Sequence, residues 1–128
     1  MSAMKNGVYI FWGAIIIVIA LVVGGTFFLS AQPGRLDSFA SCLKDRGAVF
    51  YGAFWCPHCQ ATKSLFGRSV KLLPYVECST PDGKDQLQIC KDKSIQNYPT
   101  WEFADGTRQT GELTLQQLSD ATGCPLPQ

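Results

Sequence analysis

The sequence predicts an α/β domain, a mixed sheet of about four strands flanked by helices, preceded by one N-terminal transmembrane helix. Three observations carry that prediction. The run "VYIFWGAIIIVIALVVGGTFFL", Val8 to Leu29, holds no charged residue. Helix-patterned and strand-patterned segments then alternate in the order αβαβαββα. Two cysteines, Cys56 and Cys59, stand where an apolar strand gives way to a helix.

The apolar run comes first. As a helix rising about 1.5 Å per residue it spans roughly 33 Å, close to the apolar thickness of a bilayer. A cleaved signal peptide has an apolar core of only about 7–15 residues and a small-x-small exit. The small residues here, Gly24-Gly25-Thr26 and Ser30-Ala31, follow bulky neighbours or lie inside the run. An uncleaved anchor is therefore expected over residues 8–29, with Tyr9 and Trp12 near the interface. Residues 1–7 precede it, 30–35 link it to the domain, the domain covers 36–124, and 125–128 form a tail. Lys5 before the span and Arg35 after it leave the charge bias indecisive. Six cysteines, an even number, suit pairing in an oxidising space. They place residues 1–7 in the cytoplasm and the domain outside it, in a periplasm or other extracytoplasmic space or in a thylakoid lumen.

The domain is read from period and punctuation. Leu36, Phe39, Ala40 and Leu43 recur at helical spacing, and Gly47 ends that helix. Ala48 to Phe54, "AVFYGAF", reads as a buried strand. A helix opens at Cys56 with Pro57 in its first turn and stops at Gly67. "KLLPYVEC", Lys71 to Cys78, is a strand that Pro74 confines to a sheet edge. Asp82 to Lys93 is expected to form a helix with Leu87 and Cys90 on one face. "PTWEFADGTRQTG" reads as a hairpin turning through Asp105-Gly106 in a type I′ turn, with Trp101 and Phe103 in the core. Thr114-x-x-Gln117 matches a capping box for a last helix that buries Leu115 and Leu118 and closes at Gly123. The formal net charge of +1, with Lys and Arg scattered, gives no electrostatic footprint for nucleic acid.

Cys56-Pro57-His58-Cys59 carries the chemistry. A cysteine at a helix N-terminus faces unpaired N–H groups and the positive end of the dipole, which favour thiolate over thiol. Cys56 is expected to be the exposed, acidified nucleophile, tuned by His58. Cys59, one turn on, resolves the mixed disulfide. A stabilised thiolate makes the disulfide form the better oxidant, so this pair leans toward oxidising its substrates. Cys-x-x-Cys also makes half of many zinc sites. A site from Cys56, Cys59, Cys78 and Cys90 would lack a second tight knuckle, so no metal is expected. Trp55 precedes the nucleophile, where it can shield it or bind substrate, core packing being the alternative.

"FWCPHCQATKSLFG" and "YPTWEF" resemble a thioredoxin-like fold over residues 36–123. The resemblance implies a cis proline facing the two cysteines, best matched by Pro99, and a Tyr98 backbone free to pair with an extended substrate. A trans proline starting a strand is the alternative. "GAFWCPHCQATKSLFG", "LPYVEC" and "IQNYPTWEF" are further similar to the thioredoxin-like domain that accompanies, or is fused to, vitamin K epoxide reductase homologues. That likeness implies a partner, a membrane oxidase that passes electrons from Cys56-Cys59 to quinone, with no cofactor beyond the redox-active disulfide. It also suggests a second pair, Cys78–Cys90, structural or serving as a relay. Thioredoxins carry a buried acid six residues before the first cysteine. Phe50 stands there, and Pro57-His58 replaces Gly-Pro, which puts a thioredoxin-type reductase in doubt. Cys42 and Cys124 are open to bridging each other, staying free, or pairing between chains.

The reading is a membrane-anchored protein thiol–disulfide oxidoreductase that oxidises cysteines of exported proteins. Two alternatives stand beside it: an extracytoplasmic disulfide reductase or isomerase, and a thioredoxin-like adaptor whose cysteines are only structural.

Overall fold

The structure, a computed structural model, describes residues 2–128; Met1 and the side chains through residue 6, Lys5 included, lie outside it. It divides into two compact units, residues 1–32 and 33–128.

The first unit is helix α1, Ser2–Ser30. Its Gly7–Ser30 portion has a mean hydropathy of 2.6 and is the one helix among the described residues long and apolar enough to cross a membrane. Its large side chains from Val8 to Leu29, Ile15 apart, are exposed, which fits a helix that could lie in lipid.

The second unit orders its elements as α2 (Asp37–Asp45), β1 (Val49–Gly52), α3 (Pro57–Phe66), β2 (Tyr75–Glu77), α4 (Gln88–Asp92), β3 (Thr100–Glu102), β4 (Arg108–Thr110) and α5 (Leu115–Thr122). The four strands form one sheet in the order β2-β1-β3-β4. Strand β1 runs parallel to β2 and antiparallel to β3, and β3 and β4 are antiparallel neighbours. This is the thioredoxin-like arrangement expected from the sequence, with β2 at an edge. The core gathers Phe39, Leu43, Phe50, Phe66, Trp101 and Leu118. Phe50 stacks on Trp101 at 4.8 Å between ring centroids, which joins β1 to β3 through their side chains.

Helix ends follow the expected chemistry. Thr114 and Gln117 form a reciprocal capping box, and Gly123 closes α5 in the left-handed region. Three expectations are corrected. The helix predicted over 82–93 is only Gln88–Asp92. Ahead of it, Thr80 and Asp85 hold a loop: Thr80 N–H donates to the Asp85 carbonyl at 2.9 Å, and Asp85 N–H to Thr80 Oγ1 at 3.1 Å. Short polar side chains bonding to nearby backbone outcompete the helix there. The predicted strand from Lys71 begins only at Tyr75, because a 3-10 turn over Gly67–Leu72 occupies the first part. The hairpin does not turn through a two-residue type I′ loop. Phe103 N–H donates to the Thr107 carbonyl and Gly106 N–H to the Phe103 carbonyl, so the reversal takes five residues. Only Gly106 adopts positive φ, +82°, whereas a type I′ turn needs it at both central residues.

Candidate redox site

Strand β1 ends at Gly52, and Cys56 N–H turns back onto the Ala53 carbonyl at 3.0 Å. That corner makes Cys56 the N-cap of α3, with Pro57 at the first helical position. The cap is made by sulfur: Cys59 N–H donates to Cys56 Sγ at 3.3 Å. An acceptor in this place satisfies one of the orphan N–H groups of the first turn, and the bond strengthens when the acceptor is charged. Cys56 and Cys59 are free thiols.

The opposite wall is the Tyr98–Pro99 peptide, which is cis. Cys56 S–H donates to the Tyr98 carbonyl at 3.7 Å, bringing the proline loop and the α3 N-terminus together. The expectation that Cys56 is openly exposed is corrected: 5% of it remains accessible, against 0% of Cys59. Packing into the core beside Tyr98 covers the residue. Access is thus unequal, and only Cys56 is reachable from solvent.

Burial, first of all, pushes the Cys59 thiol up to about 12, with its hydrogen bond to Cys56 adding to the effect. Behind Cys59 lies a group that sequence reading did not single out. Tyr75 O–H donates to Glu77 Oε2 at 2.7 Å, and the Lys63 ammonium sits 3.5 Å from the Tyr75 ring centre. Burial and the Glu77 bond both raise the Tyr75 hydroxyl well above its ordinary range. The signal was present in the spacing. Tyr75 and Glu77 are two apart on a strand, and Lys63 is four beyond Cys59 on a helix, so each pair shares a face.

The polar partner of His58 is Glu112, not Cys56. Its Nδ1 meets Glu112 Oε1 at 2.6 Å, and both side chains are largely exposed, at 69% and 49%. Trp55 is 53% exposed rather than core. Its indole N–H donates to Ser79 Oγ at 2.8 Å, and its ring meets Tyr98 edge-on at 6.0 Å. Trp55, Ser79, Gly83, Gln86 and Tyr98 help line a cleft of about 230 Å³ beside the Cys56 corner. A separate cavity of about 570 Å³ near Pro33–Leu36 and Ser64–Arg68 is lined by neither free thiol.

The other four cysteines form two bridges. Cys78 joins Cys90, with both residues fully buried, and Cys42 joins Cys124. The first pairing leaves only Cys56 and Cys59 for the four-cysteine metal site weighed above. No group of three or more potential metal ligands occurs among the described residues.

A free, capped thiol with a buried second thiol one turn on, facing a cis proline, is an arrangement for sulfur exchange. No family model matches the sequence. Over 96 residues, 71% of this chain, it is 43% identical to the protein named Thiol-disulfide oxidoreductase LTO1 of Arabidopsis thaliana. This chain is a relative of a thiol–disulfide oxidoreductase. It spans 25% of that relative's length.

Proposed function

We propose that this chain is a membrane-anchored protein thiol–disulfide oxidoreductase working through Cys56 and Cys59. The observation that carries the reading is the unequal pair: a reachable Cys56 sulfur at the N-cap of α3, with Cys59 buried behind it. The 43% identity to the named oxidoreductase supports it. In the oxidised state Cys56 and Cys59 are bonded. A substrate thiolate attacks Cys56 Sγ, the Cys56–Cys59 bond breaks, and its electron pair leaves on Cys59, which takes up a proton. A second substrate thiolate then attacks the first substrate sulfur and releases Cys56 as thiolate. The substrate has lost two electrons and holds a disulfide; the chain holds two thiols.

The cleft beside Trp55 and the Tyr98 backbone is where an extended cysteine-containing segment of an exported protein would lie. His58 acts at the rim of that site, through its pair with Glu112, not on the Cys56 sulfur. Cys78–Cys90, wholly buried, braces the loop that forms one cleft wall, so a structural role suits it better than a relay. Helix α1 anchors the domain on the extracytoplasmic side, in a periplasm or lumen. Recharging comes from a membrane oxidase of the vitamin K epoxide reductase type, which takes two electrons per turnover and passes them to quinone. No other cofactor enters.

The test is trapping. The full chain carrying Cys59→Ala is expected to hold substrates as mixed disulfides on Cys56, and Cys56→Ala to hold far fewer. No trapped species from either variant would leave the adaptor reading standing. Direction is tested by equilibrium with glutathione: a potential as reducing as about −270 mV would reverse the assignment from oxidase to reductase.

A further inference from the structure

Cys59 has a proton problem that the two-sulfur scheme leaves open. It must gain a proton each time its bond to Cys56 breaks and lose one each time that bond is remade. Yet it is fully buried. Phe50, on the strand beneath, is apolar, and β1 brings no ionisable side chain to this face. The groups that reach it come from two elements. From α3 come Cys56 and Lys63, the latter one turn beyond Cys59. From β2 comes Tyr75, with Glu77 bonded behind it. His58 and Glu112 pair with each other at the surface.

The contacts among these groups are close. Cys59 Sγ and the Tyr75 ring edge each lie 2.9 Å from the point where a Cβ on Gly52 would sit, so they are no more than about 5.8 Å apart. Gly52 is what permits that approach, since any side chain there would stand between them. The Tyr75 hydroxyl is bonded to Glu77 Oε2 at 2.7 Å. Glu77 Oε1 in turn accepts from Ser79 N–H at 2.9 Å and Phe54 N–H at 3.2 Å. Both carboxylate oxygens are therefore held, and Glu77 is only partly buried, so it can exchange with water. The ammonium of Lys63 lies over the same ring.

We propose that Tyr75 and Glu77, backed by Lys63, carry the proton that Cys59 gains and loses. The assignment rests on the oxidoreductase reading above. During recharging a partner sulfur is bonded to Cys56. The Cys59 S–H proton passes by way of the Tyr75 hydroxyl to the Glu77 carboxylate and then to solvent. The freed Cys59 electron pair attacks Cys56 Sγ, and the bond to the partner breaks with its pair on the partner sulfur. During substrate oxidation the proton runs back from solvent through Glu77 and Tyr75 to the departing Cys59 sulfur. Lys63 supplies positive charge beside the sulfur while it is anionic. Tyr75 is the group nearest the sulfur, Glu77 takes the proton from it and exchanges with solvent, and Lys63 is a positioning residue that acts by its charge.

The experiment separates the two sulfur steps. The full chain in detergent, with Cys56 and Cys59 reduced, is mixed with glutathione disulfide, quenched with acid and weighed by mass spectrometry. Step one is the glutathione adduct on Cys56; step two is its release as the Cys56–Cys59 bond forms. Between about pH 6 and about pH 9, Tyr75→Phe and Glu77→Gln are expected to slow step two about tenfold near neutrality. The deficit should shrink as pH rises and hydroxide takes the proton directly. Step one should keep its pH dependence. Lys63→Met, at a partly exposed position, should shift step two in the same direction. A step-two profile that overlies the parent's overturns the assignment. So does a deficit constant at every pH, the mark of a merely displaced sulfur. If the parent itself forms no adduct on Cys56, the oxidoreductase reading fails, and this assignment with it.

Discussion

Replacing Cys42 and Cys124 together by alanine should cost the domain more stability than replacing Cys78 and Cys90 together. The bridge spans a sequence separation of 82, against 12 for Cys78–Cys90. In the chain-entropy account a cross-link stabilises by restricting the unfolded chain, and the effect grows with the logarithm of loop length. A loop of the longer kind contributes about 4.5 kcal/mol and the shorter about 3 kcal/mol. Packing works the other way, since Cys78 and Cys90 are both fully buried while Cys42 is only partly so, and this narrows the gap between the two variants. The assay is denaturant unfolding of the full chain in detergent, followed by the near-ultraviolet dichroism of Trp101 and its ring neighbours. A cost below about 2 kcal/mol for the Cys42/Cys124 variant would refute the reasoning. The long loop would then not be what the bridge restrains.

Three further outcomes are expected. Gly52→Ala places a Cβ 2.9 Å from both Cys59 Sγ and Tyr75 Cε2, so the sheet face must shift; a loss of about 1–3 kcal/mol in unfolding free energy is expected, and none would show that the contact yields freely. Cys59 is pushed up to about 12 from an ordinary 9.0, so the folded state keeps its proton longer than the unfolded one. Its contribution is complete below pH 9.0 and is lost as pH climbs toward about 12. Melting curves of Cys56→Ser should therefore fall away from those of Cys56→Ser/Cys59→Ser above that lower value, and parallel curves would contradict the assignment of the shift to burial. Thr114→Ala removes the capping-box oxygen from α5 and should cost about 1 kcal/mol by thermal or denaturant unfolding.

The sequence made most of this fold legible because its signals were local. Pro57 and Gly67 bracket α3, Thr114, Gln117 and Gly123 bracket α5, and the uncharged run before Ser30 can serve only a few purposes. It failed where a competing local bond decided the outcome. The helix expected from Asp82 ran across Gly83, which takes a positive φ of +70°, and Thr80 and Asp85 lock the loop around it. Asp105-Gly106 looked like a two-residue turn, yet Asp105 Oδ1 accepts from Thr107 N–H and Oγ1–H, and the longer loop wins. At the site, Cys56 and Cys59 could be found by spacing and placement, and Pro99 only through the resemblance to a thioredoxin-like fold. Glu112 could not, because it approaches His58 from 54 residues away. The pairing of Cys42 with Cys124 was equally illegible, since a separation of 82 gives no hint that the Cα atoms lie 5.8 Å apart.

That last bridge sets the timetable of biogenesis. Cys42 leaves the ribosome before any other cysteine of this chain, and its partner leaves last. In the interval Cys56, Cys59, Cys78 and Cys90 all emerge, each a wrong companion for a thiol that must wait. Correct bridging in a nascent molecule of this kind therefore waits on the last cysteine, and any earlier bond that Cys42 makes must be undone by sulfur exchange before Cys124 can take its place.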